Sequence, residues 1–440
     1  MNAKGIIITK QSVFETAHTH YKFISLIIIF LFLSLAPMSS GVKRGNEEFH
    51  LPAVIILKEE ASVSRETLNF NASICTWYGN NSAAISLTFD DALASQADLA
   101  APLMRDRGLR GTFYVPVYDV NTTSSNGICA DWNDIINISN WGNEIGSHTL
   151  THLDLITLSP QELWDEVVLA KQYLKENITG ASVDTFSYPY GSYNEEVLDL
   201  VREHYIAARG DRHNISAAPS PSGSSPTKRF TLTPCNFGST EMLADMNQLV
   251  EDAVNMKGWL VEMIHAIEAD GWDPVPLITF TSHLDYIHSR LDDVWSAPFS
   301  NVARYYRARD AAIPVISDIT NHSFSVFLDS QLDPSIYNEP LTLNISVPSN
   351  WEDVRIIVGN NNYTMKTQPD AGERSFLLNL PLNVSAEIIK DNFPPILESV
   401  EMIPGFPVSY SPLNGSSSTE FTFQVNYRSP ANRSPELSPV

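Results

Sequence analysis

Residues 84–91 read Ala-Ile-Ser-Leu-Thr-Phe-Asp-Asp, an apolar run that ends in two adjacent acids. A short apolar run of this kind predicts a buried strand. Successive side chains of a strand point to opposite sides, so Asp90 and Asp91 at its end are expected to face different ways. One carboxylate could then bind a metal ion while the other stays free for proton transfer.

A second polar stretch, residues 146–152, reads Gly-Ser-His-Thr-Leu-Thr-His. Two histidines four residues apart share one face if the segment forms a helical turn. Two imidazoles, one carboxylate and an open position make a catalytic zinc site. Neither pair is specific alone, because surface acids and core histidines explain each of them. The prediction of a metal site therefore rests on the order of the two pairs along the chain and on the residues around them.

From Trp77 onward, predicted strands alternate with predicted helices. The run Ser159-Pro160-Gln161-Glu162 predicts a helix start, with an N-cap serine, proline at the first position and glutamate at the third. Further helices are predicted near 132–136, 195–203, 242–256, 280–289 and 301–310. Strands are predicted at 84–89, 111–115, 144–146, 185–188, 205–208, 259–265 and 314–316.

This alternation predicts an α/β fold with a parallel sheet, and the number of strands suits a barrel. The chemistry of such barrels lies at the carboxyl ends of the strands. Candidate site residues all fall at or just after predicted strand ends: Asp90, Asp91, His148, Tyr190 and His265.

Beyond about residue 320 the periodicity changes to that of strands. Leu341, Leu343, Ile345 and Val347 alternate with polar residues, and 354–358 and 375–380 are also typical of strands. The predicted organisation is a signal peptide or signal anchor (1–41), an N-terminal extension (42–75), an α/β catalytic domain (76–320), a small β-sandwich-like module (321–390) and a Pro/Ser-rich tail or partial β module (391–440).

Composition narrows the classes of partner. The formal net charge of −23 argues against nucleic acid and anionic membrane surfaces, because phosphate binding needs Lys and Arg. It is compatible with a neutral or cationic glycan. The three cysteines, Cys75, Cys129 and Cys235, do not make a disulfide framework, and the sequence does not choose a pairing among them.

The N-terminal region predicts export. Residues 23–36 form an apolar run shorter than a spanning helix needs, preceded by lysines and followed by small residues. This is typical of a signal peptide, and a signal anchor is the alternative. Many Asn-X-Ser/Thr triplets predict a glycosylated exterior; they begin at Asn71, Asn80, Asn121, Asn137, Asn177, Asn214, Asn321, Asn344, Asn362, Asn383, Asn414 and Asn432. The expected location is secreted or at the cell surface.

With these segments in place, residues 77–316 resemble the polysaccharide deacetylases, the NodB-homology or carbohydrate esterase family 4 group. The Thr-Phe-Asp-Asp, His-Thr-x-x-His and Pro-Tyr-Gly segments stand in the order and context of that family. The resemblance implies a distorted (β/α) barrel that removes acetyl groups from a glycan with the help of a divalent metal. Zinc is the expected metal, with cobalt or nickel as alternatives.

The resemblance also implies residue roles. Asp90 would be the general base and His265 the general acid. The metal ligands would be Asp91, His148 and His152. The Pro189-Tyr190 segment would line the substrate, and the backbone N–H of Tyr190 would help to stabilise the oxyanion.

Two positions depart from the family pattern. Ala92 stands where glycine is usual, and Ser187 stands where many members have an arginine that pairs with the base. We hypothesise that Arg209, at the end of the next predicted strand, approaches Asp90 from another side and replaces that cation.

The expected function is therefore an exported, metal-dependent deacetylase that cleaves the amide of N-acetylglucosamine-type glycans. One alternative is an O-acetyl esterase acting on a polymer such as acetylxylan. Another is a glycan-binding surface protein with a decayed site, for which the missing arginine is the only support.

Overall fold

The computed structural model describes residues 69–210, 228–268 and 271–391 and two short strands, 396–399 and 426–428. These residues lie in one unit, Glu66–Val440. The predicted signal segment (1–41), the predicted loop at 216–227, most of 42–75 and most of 391–440 fall outside the described residues.

The described strands are, in chain order, β1 (Asn71–Ile74), β2 (Ala83–Phe89), β3 (Thr112–Val115), β4 (Thr123–Ser124), β5 (Gly127–Ile128), β6 (Glu144–Ser147), β7 (Thr185–Ser187), β8 (Ala207–Arg209), β9 (Cys235–Phe237), β10 (Trp259–Ile264), β11 (Val294–Ser296), β12 (Ile313–Ser317), β13 (Ser323–Asp329), β14 (Leu341–Val347), β15 (Asp353–Val358), β16 (Asn361–Lys366), β17 (Gln368–Asp370), β18 (Glu373–Leu380), β19 (Ser385–Lys390), β20 (Ile396–Ser399) and β21 (Asn426–Arg428).

The described α-helices are α1 (Ala101–Asp106), α2 (Trp132–Asn140), α3 (Pro160–Trp164), α4 (Ala170–Asn177), α5 (Glu195–His204), α6 (Leu243–Met256), α7 (Leu277–Ser289) and α8 (Phe299–Ala311). Short π-helical segments, Gln96–Ala100 and Asp165–Leu169, lead into α1 and α4. The predicted helix start at Ser159 is confirmed, since its N–H donates to Glu162 Oε2 at 2.8 Å. None of the described helices is long and apolar enough to cross a membrane.

The first part of the chain forms a parallel sheet in the order β8-β7-β6-β3-β2-β10-β9, with β11 also paired to β2. Every residue of β2 is buried. A strand of this kind is covered on both faces, which is why its sequence reads as a continuous apolar run. The α/β prediction is confirmed: the sheet and its helices form a parallel-strand half-barrel of the distorted (β/α) type.

Three details of this sheet differ from the sequence prediction. Residues 314–316 were expected to be its last strand, but β12 pairs antiparallel with β13 in another sheet. The side chains of β12 alternate between exposed and half-buried, as in a strand with one solvent-facing side. The three-residue apolar run in the sequence was too short to show this alternation. The sheet instead gains β9 and β11, each three residues long and too short to show a period.

The second part of the chain is all-β, as predicted. One antiparallel sheet has the order β1-β14-β18-β17 and the other has the order β12-β13-β19-β15-β16. Both sheets contribute to one apolar core, to which Phe324 and Ile345 belong. The same core includes Trp259 and Tyr305 of the α/β part. The two parts therefore share buried surface, and β1 reaches the second part from upstream of the first.

Candidate active site

The structure brings Asp90, Asp91, His148 and His152 together at the carboxyl ends of β2 and β6. His152 Nε2 lies 3.3 Å from Asp91 Oδ1, and His148 Nε2 lies 3.6 Å from the same oxygen. His148 Nε2 is also 3.8 Å from Asp90 Oδ2. Parallel strands end at one edge of the sheet, which is why residues far apart in the chain meet here.

The turn after β2 has a strained backbone. Asp91 and Ala92 have φ values of 74° and 50°. Left-handed backbone costs a residue with a Cβ roughly 1–2 kcal/mol, whereas glycine adopts it freely. This conformation explains why a glycine suits position 92, and alanine, with the smallest Cβ substituent, is the mildest departure from it.

The segment from His148 to His152 is a loop and not the helical turn that the four-residue spacing suggested. Thr149 and His152 have φ values of 72° and 60°. The buried carboxylate of Glu166 accepts the N–H groups of Leu150 and Thr151, each at 2.9 Å. Glu166 thereby fixes the loop that carries both histidines.

The geometry of these side chains fits a divalent cation. His148 Nδ1 lies 2.8 Å from the carbonyl oxygen of Ser187, which leaves Nε2 directed towards the acids. One ligand atom each from Asp91, His148 and His152 lies within 4.8 Å of the others. Asp91 Oδ1 is buried and has no hydrogen-bond partner among the described residues. Two imidazoles and a carboxylate with an unsatisfied oxygen form the ligand set of a catalytic metal site.

Asp90 is held by two neighbours. The guanidinium of Arg209 donates to Asp90 Oδ1, and Ser187 Oγ donates to Oδ2 at 3.2 Å. Arg209 itself is 1% exposed, lies over the Tyr114 ring at 4.7 Å and contacts Met263 Sδ at 3.1 Å. The structure thus places a cation against Asp90, so the observation that favoured a decayed site does not hold.

The pKa values of the two adjacent acids are shifted in opposite directions. Burial raises the pKa of Asp91 to about 7, and the charges of Asp90 and Asp119 add to this effect. Burial would also raise the pKa of Asp90, but Arg209, followed by the nearby histidines, outweighs it and holds that pKa below its ordinary value. Asp90 is therefore ionised at neutral pH, as a base must be.

His265 directly follows β10, the strand that lies next to β2 in the sheet. The N–H of Asp90 donates to Ile264 O at 3.0 Å, and Gln96 Nε2 donates to His265 O at 2.8 Å. The His265 ring packs against the Trp272 ring, with centroids 4.5 Å apart. Burial lowers the pKa of His265 to about 4, partly offset by the charge of Asp90.

Pro189 and Tyr190 form one wall of the site. Pro189 is buried, whereas Tyr190 is 68% exposed and has a φ of 58°. The Tyr190 ring lies edge-on to His152, with centroids 4.9 Å apart. This position beside the candidate metal ligands suits a residue that contacts substrate.

Sequence reasoning missed several residues that hold the site together. They are Gln96, Asn126, Glu166 and Trp272, and none stands in a motif. Trp259 is buried and donates to Ser86 Oγ at 3.1 Å, so it packs in the core. His283 is also buried, with Nε2 3.0 Å from Glu262 Oε1. Cys75, Cys129 and Cys235 are free and buried.

Several known proteins are similar to parts of this chain. Residues 79–208 match the family model described as polysaccharide deacetylase. The chain is 28% identical over 387 residues to a gellan lyase of Bacillus sp, a match that covers 80% of this chain and 14% of that protein. The chain therefore spans a small part of that relative's length.

Two solved structures are also similar to parts of this chain. The Xyl-CE4 domain of a multidomain xylanase from the hindgut metagenome of Trinervitermes trinervoides has 18% identity and a TM-score of 0.35, covering 50% of this chain and 89% of that one. A family 4 carbohydrate esterase from Streptomyces lividans in complex with acetate has 15% identity and a TM-score of 0.33, covering 49% and 93%.

The half-barrel with two histidines and a carboxylate at its carboxyl edge defines the class of protein, an α/β domain with a candidate metal centre. The chain carries a domain of the polysaccharide deacetylase family.

Proposed function

We propose that this chain is a metal-dependent deacetylase that hydrolyses the acetamido groups of N-acetylglucosamine-type glycans. The observation that carries the proposal is the pairing of two devices at one sheet edge. One is the Asp91, His148 and His152 cluster, and the other is the ionised Asp90 held by Arg209.

Asp91, His148 and His152 would hold the metal, and zinc suits this donor set best. The chemistry that a divalent cation supplies when bound there is polarisation of the acetyl carbonyl and a lower pKa of water. The protein's own contribution is to fix the donors. The Ser187 carbonyl sets the orientation of the His148 ring, and Glu166 holds the loop between the two histidines.

Asp90 would accept the proton of the attacking water. Its low pKa makes it a weak base that is fully ionised at neutral pH, and Arg209 keeps it in one orientation. The backbone N–H of Tyr190 would stabilise the oxyanion, because preorganised donors act strongly in a site that excludes water.

His265 would deliver a proton to the leaving nitrogen. The amine that leaves an amide is very basic, so an amide needs this proton more than an ester does. Burial keeps His265 neutral at neutral pH, with a pKa of about 4. His265 would therefore first receive the proton that Asp90 takes from water and then pass it to the leaving nitrogen, so that acetate and the free amine are the products and both side chains return to their starting states. Asp90 and His265 interact electrostatically across the site.

We also propose that the protein is exported and N-glycosylated, at the cell surface or beyond it. The apolar run at residues 23–36, preceded by lysines, supports export, which would bring the enzyme to a glycan polymer outside the cytoplasm. Exposure of the described sequon asparagines supports glycan attachment, which needs surface sites. The exposed ones are Asn71, Asn80, Asn121, Asn137, Asn177, Asn321, Asn362 and Asn383, and Asn344 is half-buried.

Acetate release from three substrates tests the proposal. Chitin oligomers carry N-acetyl groups, acetylxylan carries O-acetyl groups, and peptidoglycan carries N-acetyl groups on a cross-linked polymer. Each is incubated with the zinc-loaded protein, with and without a chelator. We expect chelator-sensitive release from an N-acetylated substrate. The matched control is Asp91→Asn, which should lose both the metal and the activity.

Release from acetylxylan alone would replace the amide assignment with an ester one. A protein that binds zinc but releases no acetate from any of the three substrates would contradict the deacetylase proposal. Activity that survives complete metal removal would contradict its metal dependence.

A further inference from the structure

The hairpin formed by β4 and β5 lies beside the candidate metal site and has no role in the proposed mechanism. Its turn contains Asn126, whose N–H donates to Ser124 Oγ at 3.1 Å. The strand pairing Thr123 to Ile128 and Ser124 to Gly127 holds the hairpin closed. Hydrogen bonds within the hairpin therefore help to fix the position of Asn126, independently of its contact with the site.

The side chain of Asn126 contacts one oxygen of the Asp91 carboxylate. Asn126 Nδ2 donates to Asp91 Oδ2 at 2.9 Å. The other oxygen, Oδ1, is the one nearest to His148 and His152 and has no hydrogen-bond partner among the described residues. The amide thus occupies one oxygen of Asp91 and leaves the other directed towards the two imidazoles.

The backbone of the same residue contacts the opposite side of the site. Asn126 O accepts the N–H of Trp272 at 2.8 Å. The Trp272 ring packs against His265. One residue therefore touches the metal-binding half through its side chain and the proton-donating half through its carbonyl.

Two glycines allow the hairpin and the Trp272 segment to approach each other closely. Gly127 and Gly271 have φ values of 136° and 111°, which residues with a Cβ rarely adopt. A Cβ on Gly127 would lie 2.8 Å from Gly271 Cα, and a Cβ on Gly271 would lie 2.9 Å from Asn126 O. Side chains at either position would force the hairpin and the Trp272 segment apart.

We propose that Asn126 is a positioning residue that joins the two halves of the site. Its amide selects the Asp91 oxygen that faces the cation, and its carbonyl holds Trp272 against His265. This inference rests on the proposed function for its catalytic consequence, but its structural content is measured by metal binding alone.

The first experiment compares the zinc affinity of the wild-type protein and Asn126→Ala by competition with a chromophoric chelator. Loss of a hydrogen bond to a metal ligand typically weakens metal binding about 10–100-fold, and we expect a loss in that range. Ser124→Ala is the matched control, because it weakens the hairpin turn and keeps the amide. Its zinc affinity should stay close to that of wild type, outside the roughly 10–100-fold loss expected for Asn126→Ala, if the amide itself is responsible.

The second experiment separates the backbone contact from the side-chain contact. Gly271→Ala should displace the Trp272 segment and leave the Asn126 amide on Asp91. We expect zinc affinity close to that of wild type together with a kcat lowered about 10-fold or more, since small misplacements of catalytic groups are costly. Asn126→Ala should lower both zinc affinity and kcat, and KM should change less than kcat in both variants.

Wild-type zinc affinity in Asn126→Ala would overturn the inference, whatever the activity of the protein. An equal loss of affinity in Ser124→Ala would assign the effect to hairpin order and would overturn it as well. Weaker zinc binding in Asn126→Ala with no acetate release by the wild-type protein would uphold the positioning of Asp91 and refute the proposed function.

Discussion

The carboxyl edge of the parallel sheet buries different kinds of side chain from the two antiparallel sheets of the second part. These two sheets share one apolar core and are called the sandwich below. The edge buries ionisable groups, including Asp90, Asp91, His148 and Arg209, and its turns have left-handed residues. The buried residues of the sandwich are mainly apolar, and they alternate with less buried ones along β13 and the second half of β18. Buried charge and backbone strain lower stability, so they persist where the surrounding structure compensates for them.

The buried charges of the site and the apolar core of the sandwich therefore lie in different regions of the described chain. Trp259 and Tyr305 of the α/β part share a core cluster with Phe324 and Ile345 of the sandwich. Burial of apolar surface stabilises by roughly 25 cal/mol per Å², and this shared core offsets the cost of charges at the site. Changes at the site should therefore alter activity most, and changes in the sandwich should alter stability alone.

The largest expected effect is that of Asp90→Asn. It removes the proposed base, so kcat/KM should fall about 10²–10⁴-fold. Zinc affinity should stay within a few-fold of wild type, because Asp91 and the histidines keep their ligand atoms. Acetate release and chelator competition measure the two quantities. Near-wild-type activity would assign the base to another group and would break the division of roles between the two acids.

The next effect is that of Arg209→Met, which leaves the Asp90 charge buried without its partner. Breaking a buried ion pair costs about 3–5 kcal/mol, and the free energy of unfolding from urea titration should fall by that amount. The double variant Asp90→Asn with Arg209→Met is the control. It removes both charges, so it should be more stable than the Arg209→Met variant. Additive losses would show that the pair is not coupled.

A smaller effect is expected on the pH dependence of stability of the metal-free protein. Burial lowers the pKa of His152 to about 3 and of His265 to about 4, and it lowers that of His148 as well. Unfolded histidines titrate near 6.5, so between pH 6.5 and 4 the unfolded chain binds more protons at these three positions. Asp91, with its pKa raised to about 7, opposes this with one proton.

The net sign is a loss of stability as the pH falls from 6.5 towards 4. His152 and His265, less the one proton on Asp91, give about 1.4 kcal/mol per pH unit, and His148 adds to this loss in the same direction. Urea midpoints at pH 7, 6 and 5 in the presence of a chelator measure it. His265→Gln removes one of the three histidines, so its stability should depend less steeply on pH. An unchanged slope in that variant would place His265 outside the buried site.

The smallest effect is that of Ile345→Val in the sandwich. Ile345 is fully buried in β14, and the lost methylene should cost about 0.5–1.5 kcal/mol of unfolding free energy. Activity at 25 °C should be unchanged, since Ile345 lies in β14, which pairs with β1 and β18 and not with the strands that carry the site. Reduced activity in this variant, with the protein still folded, would show that the shared core also positions the site.

The sequence by itself determined the class of fold and the main chemical groups. The apolar run of β2, the helix start at Ser159 and the alternation after residue 341 are local patterns, and each formed the predicted element. Asp90, Asp91, His148 and His152 stood in motifs, so their meeting at one edge followed from the parallel sheet.

Only the tertiary structure decided what surrounds those groups. The contacts of Arg209 with Asp90 and of Asn126 with Asp91 join residues 119 and 35 positions apart, and no periodicity encodes such contacts. The sequence likewise did not show which sheet β12 joins, because a short apolar strand fits a parallel or an antiparallel neighbour equally well. Local patterns specify which atoms a segment offers, whereas packing at a distance decides which of them meet.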